Sequence, residues 1–222
     1  MLKTCLSDSD KCLRRLGSMV RAFRRKEDGV AAVEFALILP IMAMMFIGAV
    51  EMSWAVGVDR RVSQVAGATG DLVARVNQNI PQAEVKDIMK IGSYLMYPFE
   101  ETPLKVTMSI VTSDVNDATI TTLRWQCVYD ASLPSASEMS CSCPAAPKPA
   151  YTIPSNLMGK NEGIVVADVA YNYKPLILTF DFFMKAAHPG ANGIYTLKEK
   201  LYLKPRALWP KLEPTSGPDT NC

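Results

Sequence analysis

Hydrophobic and polar positions change rhythm several times along the chain. Residues 1–29 mix isolated apolar positions (Leu2, Leu6, Leu13, Leu16, Val20, Phe23) with charge and have only modest helical potential. Residues 35–50 carry no charge, and the apolar stretch runs on to Val58 with Glu51 as its one acid. Beyond that the pattern turns one-sided. Val58, Val62, Val65, Thr69, Leu72 and Val76 recur three and four apart, while Asp59, Arg60, Arg61, Gln64, Asp71 and Arg75 lie off that stripe. Such a period predicts an amphipathic helix. We therefore expect one helix from about residue 30 to about residue 77, apolar all round at its start and one-sided at its end. Pro40 is expected to kink it, because proline removes an i→i−4 hydrogen bond and crowds the preceding turn. Asn77-Gln78-Asn79-Ile80-Pro81 stops it.

Residues 82–96 read as a second, shorter helix with Val85, Ile88, Met89 and Leu95 facing inward. After Pro98 and Pro103 the period becomes two. Leu104, Val106, Met108 and Ile110 alternate in a strand over 104–112, and a turn-forming cluster at 113–117 leads to a second strand over 119–129. Residues 131–154 are rich in Ser, Pro and Ala and read as a long loop. A third strand covers 163–175, with Val165, Ala167, Val169, Tyr171 and Tyr173 on one face, and a fourth covers 195–205. Residues 176–187 are apolar and compatible with a short helix or a covering segment. The tail 213–222 is polar. A long helix followed by a run of strands is an α+β arrangement: a long N-terminal membrane-spanning helix, then a small antiparallel sheet as a head. Helices do not alternate with strands, which argues against a parallel βαβ fold, and no internal repeat is present.

Charge sharpens the picture at the N-terminus. The chain has 222 residues and a net charge of +2. Residues 1–29 hold eight Lys/Arg against four acids, and the remainder holds sixteen against eighteen. The basic excess thus belongs to a leader, not to a nucleic-acid-binding face, and no nucleic-acid partner is expected. About 20 apolar residues cross a bilayer, so a span over residues 30–58 is expected, with a cytoplasmic leader (1–29) and an exported head (59–222). Trp54 suits the far interface, and Glu51 is expected beside it there. A cleaved secretory signal fits less well, because the apolar run is too long and no Ala-x-Ala site ends it. Glu34 is out of place in a plain anchor. A carboxylate at the bilayer centre costs ~2.5–3.5 kcal/mol on insertion scales, and less near the interface.

Of six cysteines, Cys5 and Cys12 fall in the leader and Cys127, Cys141, Cys143 and Cys222 in the exported part, where disulfides persist. One residue separates Cys141 from Cys143, so each is expected to bond elsewhere, Cys127 with one and Cys222 with the other. Four thiolates on one zinc are the alternative, but a lone Cys-x-Cys is a poor ligand spacing, and no metal or cofactor is expected. Catalysis has little to draw on. Every Ser-His or Cys-His arrangement would have to use His188, the one histidine, which lies in a loop-like stretch. No nucleophile elbow, phosphate loop or zincin helix is present. We expect no enzyme. A tethered ligand-binding or enzyme domain in the periplasm is retained as the reading from a different class.

The run Gly29-Val30-Ala31-Ala32-Val33-Glu34-Phe35-Ala36-Leu37-Ile38-Leu39-Pro40 resembles the TadE-like family of the tight-adherence (Tad/Flp) pilus system. Glu51 and the small-residue stretch 64–74 continue the likeness, and residues 166–176 with Lys204-Pro205-Arg206 look like the family's closing strands. The resemblance implies a pilin-like pseudopilin, or minor pilin, of the bacterial inner membrane. It implies cleavage by a prepilin peptidase between Gly29 and Val30. Glu34 and Phe35 then become the fifth and sixth residues of the mature chain and serve assembly. The implied partners are that peptidase, other pilins and pseudopilins, and inner-membrane platform proteins. Asp28 before the glycine departs from the usual pilins. The physics runs the same way. Cleavage frees an ammonium at Val30, one helical turn from Glu34, and a charge in low dielectric is far less costly paired than unpaired. Pairing within or between subunits would favour one axial register. The plainer reading is an acid at a helix N-terminus, worth ~0.3–1 kcal/mol. An unprocessed single-pass scaffold of the same machine is the alternative within the family.

Overall fold

The computed structural model of the chain describes residues 28–76, 79–175, 193–206 and 209–213. Helix α1 covers Asp28–Ala74 and continues through Pro40. Residues Glu51–Cys222 form one compact unit, which takes in the second half of α1; the residues before it form a separate unit. In the first unit, residues 30–46 are all exposed, and the large side chains among them are Val, Phe, Leu, Ile and Met. That is the expectation for a helix whose solvent is lipid. Residues 30–50 rise roughly 31 Å as α-helix, which matches a hydrocarbon core of about 30 Å.

The head is an α+β unit. Strand β1 (Asn79–Pro81) leads into helix α2 (Gln82–Leu95). There follow β2 (Leu104–Ser113), β3 (Thr121–Asp130), β4 (Met139–Ser142), β5 (Gly163–Tyr173), β6 (Tyr195–Leu203) and β7 (Lys211–Glu213). Five strands make an antiparallel sheet in the order β4-β3-β2-β5-β6, and β1 pairs in parallel with β7. The sheet follows from the period-two pattern. Leu104, Val106, Met108 and Ile110 of β2 meet Trp125, Cys127 and Tyr129 of β3 and Val165, Ala167 and Val169 of β5 in one buried cluster. Val58, Val62, Val65, Ala66 and Val73 of α1 and Val85, Ile88 and Met89 of α2 complete it. The opposite sheet face has a small apolar cluster of Val111, Ile164 and Val166 and is otherwise more polar.

Small residues let the layers approach. An added Cβ at Gly70 of α1 would lie 2.6 Å from Leu203 Cδ1 and 3.1 Å from Ala167 Cβ. At Gly92 of α2 it would lie 2.9 Å from Val65 Cγ1 and 3.3 Å from Thr69 Cγ2 of α1. The chain after β6 returns to the head's first elements: Arg206 N–H donates to the Ala74 carbonyl at 3.0 Å, and Trp125 Nε1–H to the Pro210 carbonyl at 2.9 Å.

Several expectations need correcting. The residues 131–154 are not all loop, since Met139–Ser142 adds β4 to the edge of β3. Glu213 belongs to β7 rather than to the polar tail. On α1, Leu72 is exposed and Val73 is buried, so the inward stripe steps from Thr69 by four residues, not three. The apolar stretch 176–187 and His188 lie outside the described residues, as do Cys5, Cys12 and Cys222.

Candidate functional site

The sequence places its unusual residues on α1, and the two halves of that helix treat their acids differently. In the first half, Val30 and Phe35 are exposed, and so is Glu34, which makes no hydrogen bond or ion pair among the described residues. It is the only charged residue between positions 30 and 50. Gly29 lies in the first turn of the helix, and Glu34 follows Val30 by four residues, about 6 Å of helical rise. A solvated carboxylate there costs nothing. In lipid, away from headgroups, it needs a cation or a donor.

In the second half the stripe that docks on the sheet begins with an acid. Glu51, Ala55, Val58, Val62, Val65, Thr69 and Val73 are spaced four, three, four, three, four and four apart, and Glu51 is only 2 % exposed. Thr69 donates its hydroxyl back to the Val65 carbonyl at 2.7 Å, so this buried polar group is satisfied within the helix. Glu51 is satisfied across the fold. The Tyr173 hydroxyl at the end of β5 donates to Glu51 Oε2 at 3.1 Å. Burial, then the Glu51 charge and the hydrogen bond to it, push the Tyr173 phenol up to about 12. The phenol therefore keeps its proton at neutral pH and serves as the donor. A hydrogen bond to a charged group is worth ~1.5–3 kcal/mol. Glu51 is thus an internal tie between α1 and β5, held inside the fold rather than on its surface. The signal was present in its spacing, since Glu51 precedes Val58 by two helical turns on one face. Tyr173, 122 residues further on, gave no such signal.

One helical turn past Glu51 the surface is aromatic. Trp54 is half exposed and packs edge-to-face on Phe99, with ring centroids 5.6 Å apart. Elsewhere, Cys127 and Cys141 are joined by a disulfide that ties β3 to β4, and Cys143 is disulfide-bonded as well. An open groove of about 640 Å³ lies beside the start of β3, lined by Thr121, Lys148, Tyr151 and Met158 among others. Thr121 spends its hydroxyl on the Tyr151 carbonyl. Burial, then the nearby Arg124 charge, push the Lys148 ammonium down. Lys148 and Tyr151 are the ionisable side chains among its described lining residues.

With this geometry in place, the comparisons with known proteins divide the chain at the same helix. The family model for TadE-like protein matches residues 29–70. The TadE-like segment thus begins at Gly29, includes Glu34, Phe35, Pro40 and Glu51, and ends within α1. It covers none of the sheet, so the likeness expected of residues 166–176 and 204–206 is not part of the match. No curated protein and no solved structure matches the chain. The TadE-like segment suggests a Tad pilus-associated protein. The apolar helix near the N-terminus points to membrane anchoring.

Proposed function

We propose that the chain is a pseudopilin of a Tad pilus machine, a non-enzymatic subunit cut by a prepilin peptidase between Gly29 and Val30 and assembled through α1. The observation that carries this reading is the TadE-like match starting at Gly29, with Glu34 the sole charge on an otherwise apolar, fully exposed helix surface. In the bilayer, residues 1–29 face the cytoplasm of the inner membrane and the head faces the periplasm, as the basic excess before the span favours. After cleavage the Val30 ammonium and the Glu34 carboxylate supply opposite charges one helical turn apart. Packing of α1 against α1 of neighbouring subunits, or of other pilins, makes their pairing the register-setting contact. An unpaired charge in low dielectric penalises every other register. Pro40 interrupts the backbone ladder between this contact and the rest of the helix.

The test is Edman or mass-spectrometric sequencing of membrane-derived protein from cells with and without the peptidase. A start at Val30 that depends on the peptidase supports the reading.

A second reading has one observation in its favour. α1 already begins at Asp28, so the Gly29–Val30 bond lies in a helical turn that a peptidase must open. In that reading the leader stays attached, and the chain is a single-pass scaffold of the same machine. Pilus formation then survives Glu34→Ala, whereas the pseudopilin reading requires a loss.

A further inference from the structure

Two aromatic side chains at one end of the head, Trp54 and Tyr97, stand exposed, and a third, Phe99, is half-buried beside Trp54. Trp54 is 51 % exposed, and Tyr97, in the turn after α2, is 79 % exposed. Phe99 joins them: it packs on the Trp54 ring and closes on Gly57, where an added Cβ would lie 3.3 Å from Phe99 Cζ. This turn is held to the same end of the sheet as Glu51. The Tyr171 hydroxyl donates to the Glu100 carbonyl at 3.1 Å, and two residues along β5 the Tyr173 hydroxyl reaches Glu51. Exposed aromatics of this size are costly in water, since each can bury about 150–250 Å². Their position says what covers them. Trp54 follows Val50, the last residue before the compact head, by four residues, about 6 Å of helical rise. The layer between hydrocarbon and bulk water is roughly 5–7 Å thick on each side of a bilayer. Trp and Tyr favour that layer because one end of the ring system is apolar and the other is wet.

We propose that Trp54, Tyr97 and Phe99 form a collar that seats the head on the interfacial layer of the lipid bilayer. The partner is the bilayer surface itself. Glu100 and Glu101 flank the collar and are exposed, and Lys174 is the exposed cation next to Tyr173. Among the described residues the collar carries no basic patch, so it is expected to engage zwitterionic lipid without help from anionic headgroups. Seating fixes the depth at which α1 leaves the membrane. It keeps Glu51 on the protein side of the boundary, where Tyr173 satisfies it. The proposal rests on residues 30–50 crossing the bilayer.

The full chain, reconstituted in phosphatidylcholine vesicles containing lipids brominated near the headgroup or near the chain ends, tests it by tryptophan quenching. In a Trp54→Phe background, Tyr97→Trp reports the collar, Phe46→Trp reports the span, and Val115→Trp in the β2–β3 turn reports the exposed head surface. The expected result is that the shallow quencher removes most of the emission added by Tyr97→Trp, that the deep quencher reaches Phe46→Trp but not Tyr97→Trp, and that Val115→Trp is unquenched. Native Trp54, read as the difference between the wild type and Trp54→Phe, must follow the shallow quencher too. If Phe46→Trp is quenched and Tyr97→Trp is not, the collar is overturned while the membrane span stands. If Phe46→Trp is also unquenched, the span reading fails and takes the collar with it. Tyr97→Trp shielded from aqueous acrylamide only at high protein-to-lipid ratio assigns the face to a second copy of the chain and likewise overturns the proposal.

Discussion

Replacing Tyr173 by Phe removes one oxygen and leaves the Glu51 carboxylate, 2 % exposed, without the phenol that donates to it. The shape of the core is kept, so the cost is electrostatic. A hydrogen bond to a charged group contributes ~1.5–3 kcal/mol, and stranding a buried acceptor sits in the same range. For a unit of this size, 1 kcal/mol moves Tm by roughly 2–4 °C, so Tyr173→Phe is expected to lower the melting temperature of the detergent-solubilised full chain by about 3–12 °C. Near-ultraviolet circular dichroism follows the head through Trp125 and its neighbours. Glu51→Gln lowers stability less, because an amide oxygen still accepts. The double variant isolates the coupling, expected at ~1 kcal/mol or more. Alkaline titration gives a second readout. An unfolded phenol loses its proton near pH ~10, whereas folded Tyr173 holds it to about 12. Between those values the folded state binds more protons than the unfolded state, so stability falls as pH rises. Tyr173→Phe reduces that fall without abolishing it, since burial also raises Tyr129 and Tyr171. A Tm unchanged by Tyr173→Phe, with no coupling to Glu51→Gln, would refute the tie between α1 and β5.

Other consequences are open to the same kind of measurement. Gly92→Ala gains about 1 kcal/mol of helix propensity but drives a methyl into Val65 and Thr69, whose β-branched side chains are stiff at χ1. Overpacking of ~1–3 kcal/mol wins, so the variant melts lower, and a higher Tm would count against the close approach of α2 to α1. Cys127→Ser with Cys141→Ser opens a loop with a sequence separation of 14. It is expected to cost the head about 3 kcal/mol in urea titration, with an unchanged midpoint as the contrary result. Glu34→Ala, within the proposed pseudopilin role, abolishes or strongly reduces surface pili on electron micrographs while leaving the membrane content of the protein intact. Normal piliation favours the scaffold reading instead.

The long helix and the four longer strands were legible because their periods are sustained: Val58 to Thr69 at 3.6, and Leu104 to Ile110 and Val165 to Tyr173 at two. The short elements were not. Met139-Ser140-Cys141-Ser142 has little strand character of its own and becomes β4 through pairing with β3 and the Cys127–Cys141 bond. β1 and β7 are three residues each, too short to show a period, and exist as each other's partners. A step of three residues from Thr69 predicts Leu72 inward. The drift of a 3.6-residue period brings Val73 in instead. Of the candidate site, the Gly29, Glu34 and Phe35 pattern was readable in one local stretch. Glu51 was visible as a charge near the end of the apolar run, but not as a buried one. Its burial depends on Tyr173, a contact made by the fold and by no local rule.

The central claim concerns one peptide bond. The N-terminus of the mature protein, sequenced from membranes of cells that carry or lack the prepilin peptidase, tests it most directly. The account predicts a chain beginning at Val30 when the peptidase is present and at Met1 when it is absent. A chain beginning at Met1 in both would contradict it.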